Sequence, residues 1–192
     1  MKKLLLLLVM TGLVAGCSPD RSWQTKDIAG LMPELEFTLT SETGETVTEE
    51  QYLDAVNLMF FGYTHCPDIC PVTLSRLRGI MGQLPEEVAG DIRVLFVSVD
   101  PDRDDPQSLR EYTDAFGESF VGLTGTRDQL DALTKRYRTT YGYGEPDEDG
   151  DYLVSHGSAV YAFDADGNPR LLIRDSDSTG AIASDLKQLV QS

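Results

Sequence analysis

From Val56 to Tyr63 the chain reads Val-Asn-Leu-Met-Phe-Phe-Gly-Tyr, and this nearly unbroken apolar run leads directly into Thr64-His65-Cys66-Pro67-Asp68-Ile69-Cys70-Pro71. A strand that is apolar at successive positions has no face to offer water, so it belongs at the centre of a sheet covered on both sides. A second run, Ile92 to Val99, follows an amphipathic stretch in which Leu74, Leu77, Ile80, Met81 and Leu84 recur at helical spacing with Arg76, Arg78 and Gln83 between them. One stripe of that helix is buried. Strand, helix and strand in this order make a βαβ unit.

The remaining pattern continues the alternation. Glu36–Thr40 and Glu45–Thr48 flank Ser41-Glu42-Thr43-Gly44 and read as a small hairpin, and Thr48-Glu49-Glu50-Gln51 is a capping-box pattern that opens a short helix. Asp105-Pro106 opens a helix carrying Leu109, Tyr112 and Phe116, with proline suited to the first helical position. Phe120–Leu123 reads as a strand, and Thr126-Arg127-Asp128-Gln129 caps a helix with Leu130, Leu133 and Tyr137. After an acidic loop, Glu145 to Asp151, the runs Ala159–Phe163 and Arg170–Arg174 flank the turn residues Asp164 to Pro169, and a last helix runs from Thr179 to Val190. This order predicts a thioredoxin-like α/β sandwich, a central mixed sheet flanked by helices with an N-terminal β-hairpin.

The first residues do not belong to that core. Lys2 and Lys3, the apolar run Leu4–Val9 and the small residues of Val14-Ala15-Gly16-Cys17 resemble a bacterial lipoprotein signal. The apolar stretch falls short of the ~20 residues that span a bilayer as a helix. The expected organisation is a signal peptide over 1–16, a lipidated Cys17 with a flexible tether over 17–34, and a folded domain over 35–192. That places the domain outside the cytoplasm, periplasmic or on the cell surface, held to a membrane by lipid. Loss of residues 1–16 removes two lysines and no acid, taking the formal charge from −16 to −18. So acidic a chain argues against nucleic acid and against adsorption to anionic lipid, and suits basic partners or cations.

Setting Cys17 aside leaves Cys66 and Cys70, four residues apart where a strand enters a helix. One helical turn puts both sulfurs on one side, and unsatisfied N–H groups at a helix start favour thiolate. An oxidising compartment permits a disulfide between them. As a staple it would contribute little, since closing five residues removes roughly 2 kcal/mol of unfolded-state freedom on the loop-entropy model. Two histidines are present, His65 and His156. His65 adjoins Cys66 and points away if Cys66 faces the site. His156, in Leu153-Val154-Ser155-His156-Gly157-Ser158, precedes the strand from Ala159, and in thioredoxin-like folds the loop entering that strand faces the cysteines. Cys66, Cys70 and His156 make a soft three-donor set suited to copper, as Cu(I) or Cu(II), whereas structural zinc normally takes four protein ligands.

The segments Phe61-Gly62-Tyr63-Thr64-His65-Cys66-Pro67-Asp68-Ile69-Cys70-Pro71, Val99-Asp100-Pro101-Asp102-Arg103-Asp104, Gly122-Leu123-Thr124-Gly125-Thr126 and Asp149 to His156, taken in order, resemble the Sco/SenC family. The resemblance covers Leu35 to the C-terminus. It implies a membrane-tethered, thioredoxin-like copper metallochaperone in which Cys66, Cys70 and His156 hold copper. It further implies a role in assembling the dinuclear copper site of cytochrome c oxidase, with the copper-site subunit of that oxidase as client. Other copper chaperones or thiol reductases are further implied partners. Two departures stand out: Asp105 replaces a frequent threonine or serine, and Ser155 replaces the acidic residue often found before the histidine. Asp100 reads as turn chemistry, as support for the metal site, or as a docking residue; Asp105 reads as a helix N-cap.

A different class of function is open to the same cysteines. In a thiol-disulfide oxidoreductase acting on the oxidase or other exported copper proteins, Cys66 attacks and Cys70 resolves, and His156 is dispensable. A thiol peroxidase would use Cys66 alone, and no further feature of the chain supports it.

Overall fold

The computed structural model describes residues 22–192. Its elements are β1 (Lys26–Asp27), β2 (Thr38–Ser41), β3 (Thr46–Thr48), β4 (Val56–Gly62), α1 (Ile69–Met81), α2 (Glu86–Ala89), β5 (Ile92–Ser98) and α3 (Pro106–Asp114). They continue with β6 (Phe120–Thr124), α4 (Arg127–Arg136), β7 (Tyr141–Tyr143), β8 (Val154–His156), β9 (Val160–Phe163), β10 (Pro169–Ile173) and α5 (Thr179–Val190). Eight strands form one mixed sheet in the order β1-β10-β9-β4-β5-β6-β2-β3, with β4, β5 and β6 parallel and β9 antiparallel to β4. This is the expected thioredoxin-like sandwich. All seven residues of β4 are buried, as a doubly covered central strand requires. Asn57, the polar exception in that run, donates its amide to the carbonyls of Tyr52 and Ala55.

Local sequence chemistry sets the helix starts. Thr126 and Gln129 exchange hydrogen bonds in a capping box, and the Asp105 carboxylate accepts from the Ser108 N–H with Pro106 at the first helical position. Asp105 is thus an N-cap. The helix expected after Thr48 is only a 3-10 turn, Glu49–Gln51. The hairpin β2–β3 joins the main sheet where β2 pairs with β6.

Two expectations need correction. The tether expected over 17–34 does not hold from residue 22 onward: β1 pairs with β10, Ile28 is buried, and the Asp185 carboxylate of α5 accepts from the backbone N–H groups of Gln24 and Thr25 and from the Thr25 hydroxyl. A two-residue strand is too short to show a period, and its partner lies some 145 residues away. Cys17 and the expected signal lie outside the described residues. The second correction concerns residues 141–156. The acidic run over 145–151 is a loop as expected, but the residues flanking it, to which the sequence pattern assigns no element, pair as β7 and β8 in a separate two-stranded sheet, so the loop is the tip of a hairpin.

Asp185 is 1% exposed, so Asp185→Ala leaves the Thr25 N–H and hydroxyl without their acceptor. A loss of about 1–3 kcal/mol is expected in urea unfolding, with faster hydrogen exchange at residues 24–28. A change under about 0.5 kcal/mol would show that this clip carries no stability.

Candidate metal centre

Strand β4 delivers the chain to the carboxyl edge of the parallel strands, where Tyr63 to Asp68 turn before α1. The Cys66 N–H donates to the Tyr63 carbonyl, and Pro71, in the first turn of α1, removes no intrahelical bond. Asp104 holds this turn from the next βα connection. Its carboxylate, 1% exposed, accepts from the Thr64 N–H at 2.8 Å, the Thr64 hydroxyl at 2.6 Å and the Ser98 hydroxyl at 2.5 Å.

The predicted ligands converge. Cys66 Sγ, Cys70 Sγ and a ring nitrogen of His156 all lie within 4.8 Å of one another, with His156 Nε2 3.3 Å from Cys70 Sγ and 3.7 Å from Cys66 Sγ. Bonds of about 2.3 Å to sulfur and about 2.1 Å to nitrogen in a trigonal arrangement would separate sulfur from nitrogen by about 3.8 Å. The donors therefore need only small shifts to enclose one ion. Both cysteines are free thiols. Among the described residues no carboxylate joins the donor group, which keeps the set soft.

The imidazole is oriented by the backbone. Its Nδ1 lies 3.0 Å from the Gly157 carbonyl oxygen, which can only accept, so Nδ1 carries the proton and the Nε2 lone pair faces the sulfurs. Ser155, at the position where the resemblance leads one to expect an acid, instead donates its hydroxyl to the Gly142 carbonyl across the hairpin. Phe60 and Tyr63 present edge-on contacts to the ring, with centroids 5.9 and 5.8 Å away. Burial among these rings lowers the His156 pKa, partly opposed by the Gly157 carbonyl.

Because the folded pKa is depressed, the unfolded chain binds the His156 proton first as pH falls through the ordinary imidazole value of about 6.5. In the window just below that value this residue's contribution to stability is lost as pH falls and regained as it rises. An NMR titration of the metal-free protein should place the His156 midpoint below 6.5; a midpoint at or above it would contradict this environment.

Burial also corrects the expectation for the thiols. The helix-start argument favours thiolate at both sulfurs, yet Cys70 is 0% exposed and burial, with Cys66 close by, pushes its pKa upward. The Cys70 N–H points at Cys66 Sγ, 3.4 Å away. Cys66, at 9% exposure, is the more accessible of the two.

Asp100 does not reach the donors and, at 0% exposure, is no docking residue. It accepts from Arg103 Nε at 2.6 Å and from the Tyr152 hydroxyl at 2.8 Å, while the Arg103 guanidinium lies 3.7 Å from the Tyr152 ring centroid and 5.6 Å from that of Tyr63. Asp100 thereby ties the hairpin that carries His156 to the body of the domain. Tyr143 adds a second tie by donating to the Val99 carbonyl at 2.5 Å. His65 is half exposed and turned toward Thr64 and Asp104, away from the donor group. Sequence reasoning missed Asp104, Arg103 and Tyr152; the Asp-x-x-x-Asp spacing of residues 100 and 104 after a buried strand was the available signal.

Comparison with known proteins places these residues in a wider set. The SCO1/SenC family model matches residues 29–191. The chain is 39% identical over 132 residues to the mitochondrial SCO1 homolog of Homo sapiens, covering 68% of this chain and 44% of that protein. It is 41% identical over 128 residues to protein SenC of Rhodobacter capsulatus, covering 67% and 57%. The chain thus spans about half the length of the curated relatives it matches. Among solved structures, Arabidopsis thaliana ScoI with copper bound superposes with a TM-score of 0.75 at 31% identity, over 82% of this chain and 98% of that one. Yeast Sco1 with copper bound gives 0.76 at 30% identity, over 84% and 90%.

Proposed function

The chain belongs to the SCO1/SenC family, and on that premise we propose that it is a copper metallochaperone whose cargo is held by Cys66, Cys70 and His156 and delivered to the dinuclear copper site of cytochrome c oxidase. The observation that carries this reading is the convergence of two thiols and an oriented imidazole lone pair at one buried spot, with no carboxylate of the described residues among them. Copper bound there would take up the two thiolates, so loading releases the thiol protons and weakens as pH falls. A Cys66–Cys70 disulfide offers no thiolate and would refuse the ion. Cys66, the more exposed sulfur, is positioned to be exchanged first for a client thiolate.

Titrating the full chain with copper is expected to load one ion per reduced chain, with sulfur-to-copper charge-transfer absorption for Cu(II), and none after oxidation of the pair. Absence of binding in both states would sink the proposal.

A second reading rests on Cys66 being the less buried of the two cysteines. In it the dithiol reduces a client disulfide: Cys66 sulfur attacks, the mixed disulfide is resolved by Cys70, and two electrons and two protons pass to the client as Cys66–Cys70 oxidises. His156 takes no part in that exchange.

The surroundings suit a protein client. Ile69, Val72 and Leu153 are three of the four large hydrophobic side chains exposed among the described residues, and all three lie on segments that carry or adjoin the donors. The hairpin tip beside them contributes Glu145, Asp147, Glu148, Asp149 and Asp151, so the client face should be basic around an apolar contact. Outside the described residues, Cys17 is proposed to carry lipid and hold the domain on the outer side of a bacterial membrane. No helix among the described residues is long and apolar enough to cross a membrane. Cys17→Ser should move the protein from the membrane to the soluble fraction; unchanged membrane retention would rule out that anchor.

A further inference from the structure

Gly62 ends β4 with its Cα opposite Ser98 of β5, in register with the rest of the strand. Its backbone is not in the left-handed region that favours glycine. A glycine in a strand that has no need of a left-handed backbone often marks close approach by another group. Here two side chains make that approach. A Cβ placed on Gly62 would lie 2.6 Å from Cys70 Sγ and 2.7 Å from Cε2 of the Phe96 ring, where ordinary contacts between heavy atoms are about 3.5–4.0 Å. The missing methyl is therefore the space that the Cys70 sulfur and the Phe96 ring share.

Cys70 leaves the first turn of α1 pointing back at the end of β4, and Gly62 lets it sink until the sulfur is fully covered and still 3.3 Å from His156 Nε2. Phe96 closes the other side of this nest and is itself buttressed by Phe60, 6.3 Å away, and Tyr112, 5.2 Å away. A side chain at position 62 would meet a flexible thiol on one side and a ring fixed by its neighbours on the other. The sulfur is the part that yields. We propose that Gly62 is a positioning residue for Cys70: by carrying no side chain it sets the depth of that sulfur, and hence both its seclusion from solvent and its distance to His156. The copper consequences rest on the metallochaperone reading; the seclusion of the thiol does not.

The test uses the full chain as Gly62→Ala, Phe96→Leu and the double variant, so that the ring-side clash is relieved while the sulfur-side clash stays. Phe96→Leu makes room for the new methyl on the ring side only. In the double variant the unfolding midpoint should therefore recover relative to Gly62→Ala, while Cys70 remains displaced. Two readouts follow the sulfur. Without metal, iodoacetamide labelling resolved to Cys70 by mass spectrometry should be at least fivefold faster in both Gly62→Ala proteins than in the native chain or Phe96→Leu. With Cu(II), the same two proteins should show a shifted sulfur-to-copper absorption band and at least tenfold weaker retention against a chelator. Recovery of native Cys70 labelling and of the native copper spectrum along with stability in the double variant would overturn the proposal and leave Gly62 a packing residue for Phe96. A native chain that binds no copper would overturn the metallochaperone reading, and the labelling arm would then still decide whether Gly62 positions the thiol.

Discussion

Replacing His156 with alanine is expected to weaken copper binding more than about 100-fold while the Cys66–Cys70 pair keeps exchanging with small disulfides. The magnitude follows from the site. Loss of a residue that merely orients a ligand typically costs 10–100-fold in metal affinity, and His156 is proposed as a ligand itself. Among the described residues no substitute stands nearby, because the donor group there contains only these three and His65 is turned toward Thr64 and Asp104. Dithiol exchange needs only the sulfurs. Competition against a chelator of known affinity, run beside a dithiol–disulfide exchange assay, separates the two proposed activities. Native copper affinity in the variant would remove the metal-site argument and leave the oxidoreductase reading standing.

Asp104→Ala is expected to lower stability by about 2–4 kcal/mol and to loosen copper binding together with it. The carboxylate is buried and accepts from one backbone N–H and two hydroxyls on two different segments, Thr64 of the cysteine loop and Ser98 of β5. Hydrogen bonds to a charged group contribute about 1.5–3 kcal/mol each, and an orphaned buried N–H costs about 1–3 kcal/mol. Partial recruitment of new partners by the hydroxyls keeps the total below the sum. Two residues beyond Thr64 is Cys66, so the freed loop should also misplace that sulfur. Urea unfolding with and without one equivalent of copper measures both effects. A fall below about 0.5 kcal/mol, or undiminished copper affinity, would show that Asp104 does not hold the loop.

The contrast between Asp100, Asp104 and Asp105 shows where reading along the chain stops. Asp105 is an N-cap because its partner, Ser108, is three residues away, and local chemistry of that kind is legible in the sequence. Asp104 acts on Thr64, forty residues back, and Asp100 on Tyr152, fifty-two residues ahead. Within the Asp-Pro-Asp-Arg-Asp-Asp run, the spacing of residues 100 and 104 after a buried strand marks the two buried carboxylates, but their distant partners leave no trace in it. The same limit hid the hairpin of residues 141–156 and the pairing of β1. Strands of two or three residues have too few positions for alternation to register, and their pairing depends on partners fixed by the rest of the fold.

The sequence by itself determined the doubly buried β4, the helix behind it, the meeting of strand and helix at Cys66 and Cys70, and the scarcity of other soft ligands. Periodicity and composition carry those features, because burying a face imposes the same spacing wherever the element packs. Only the tertiary structure decided what each donor experiences. It set the His156 lone pair toward the sulfurs through the Gly157 carbonyl. It let burial outweigh the helix start at Cys70, and it turned Asp100 into a tie between hairpin and body. Those outcomes depend on desolvation and on contacts across as many as ninety residues, and both exist only once the chain has closed around them.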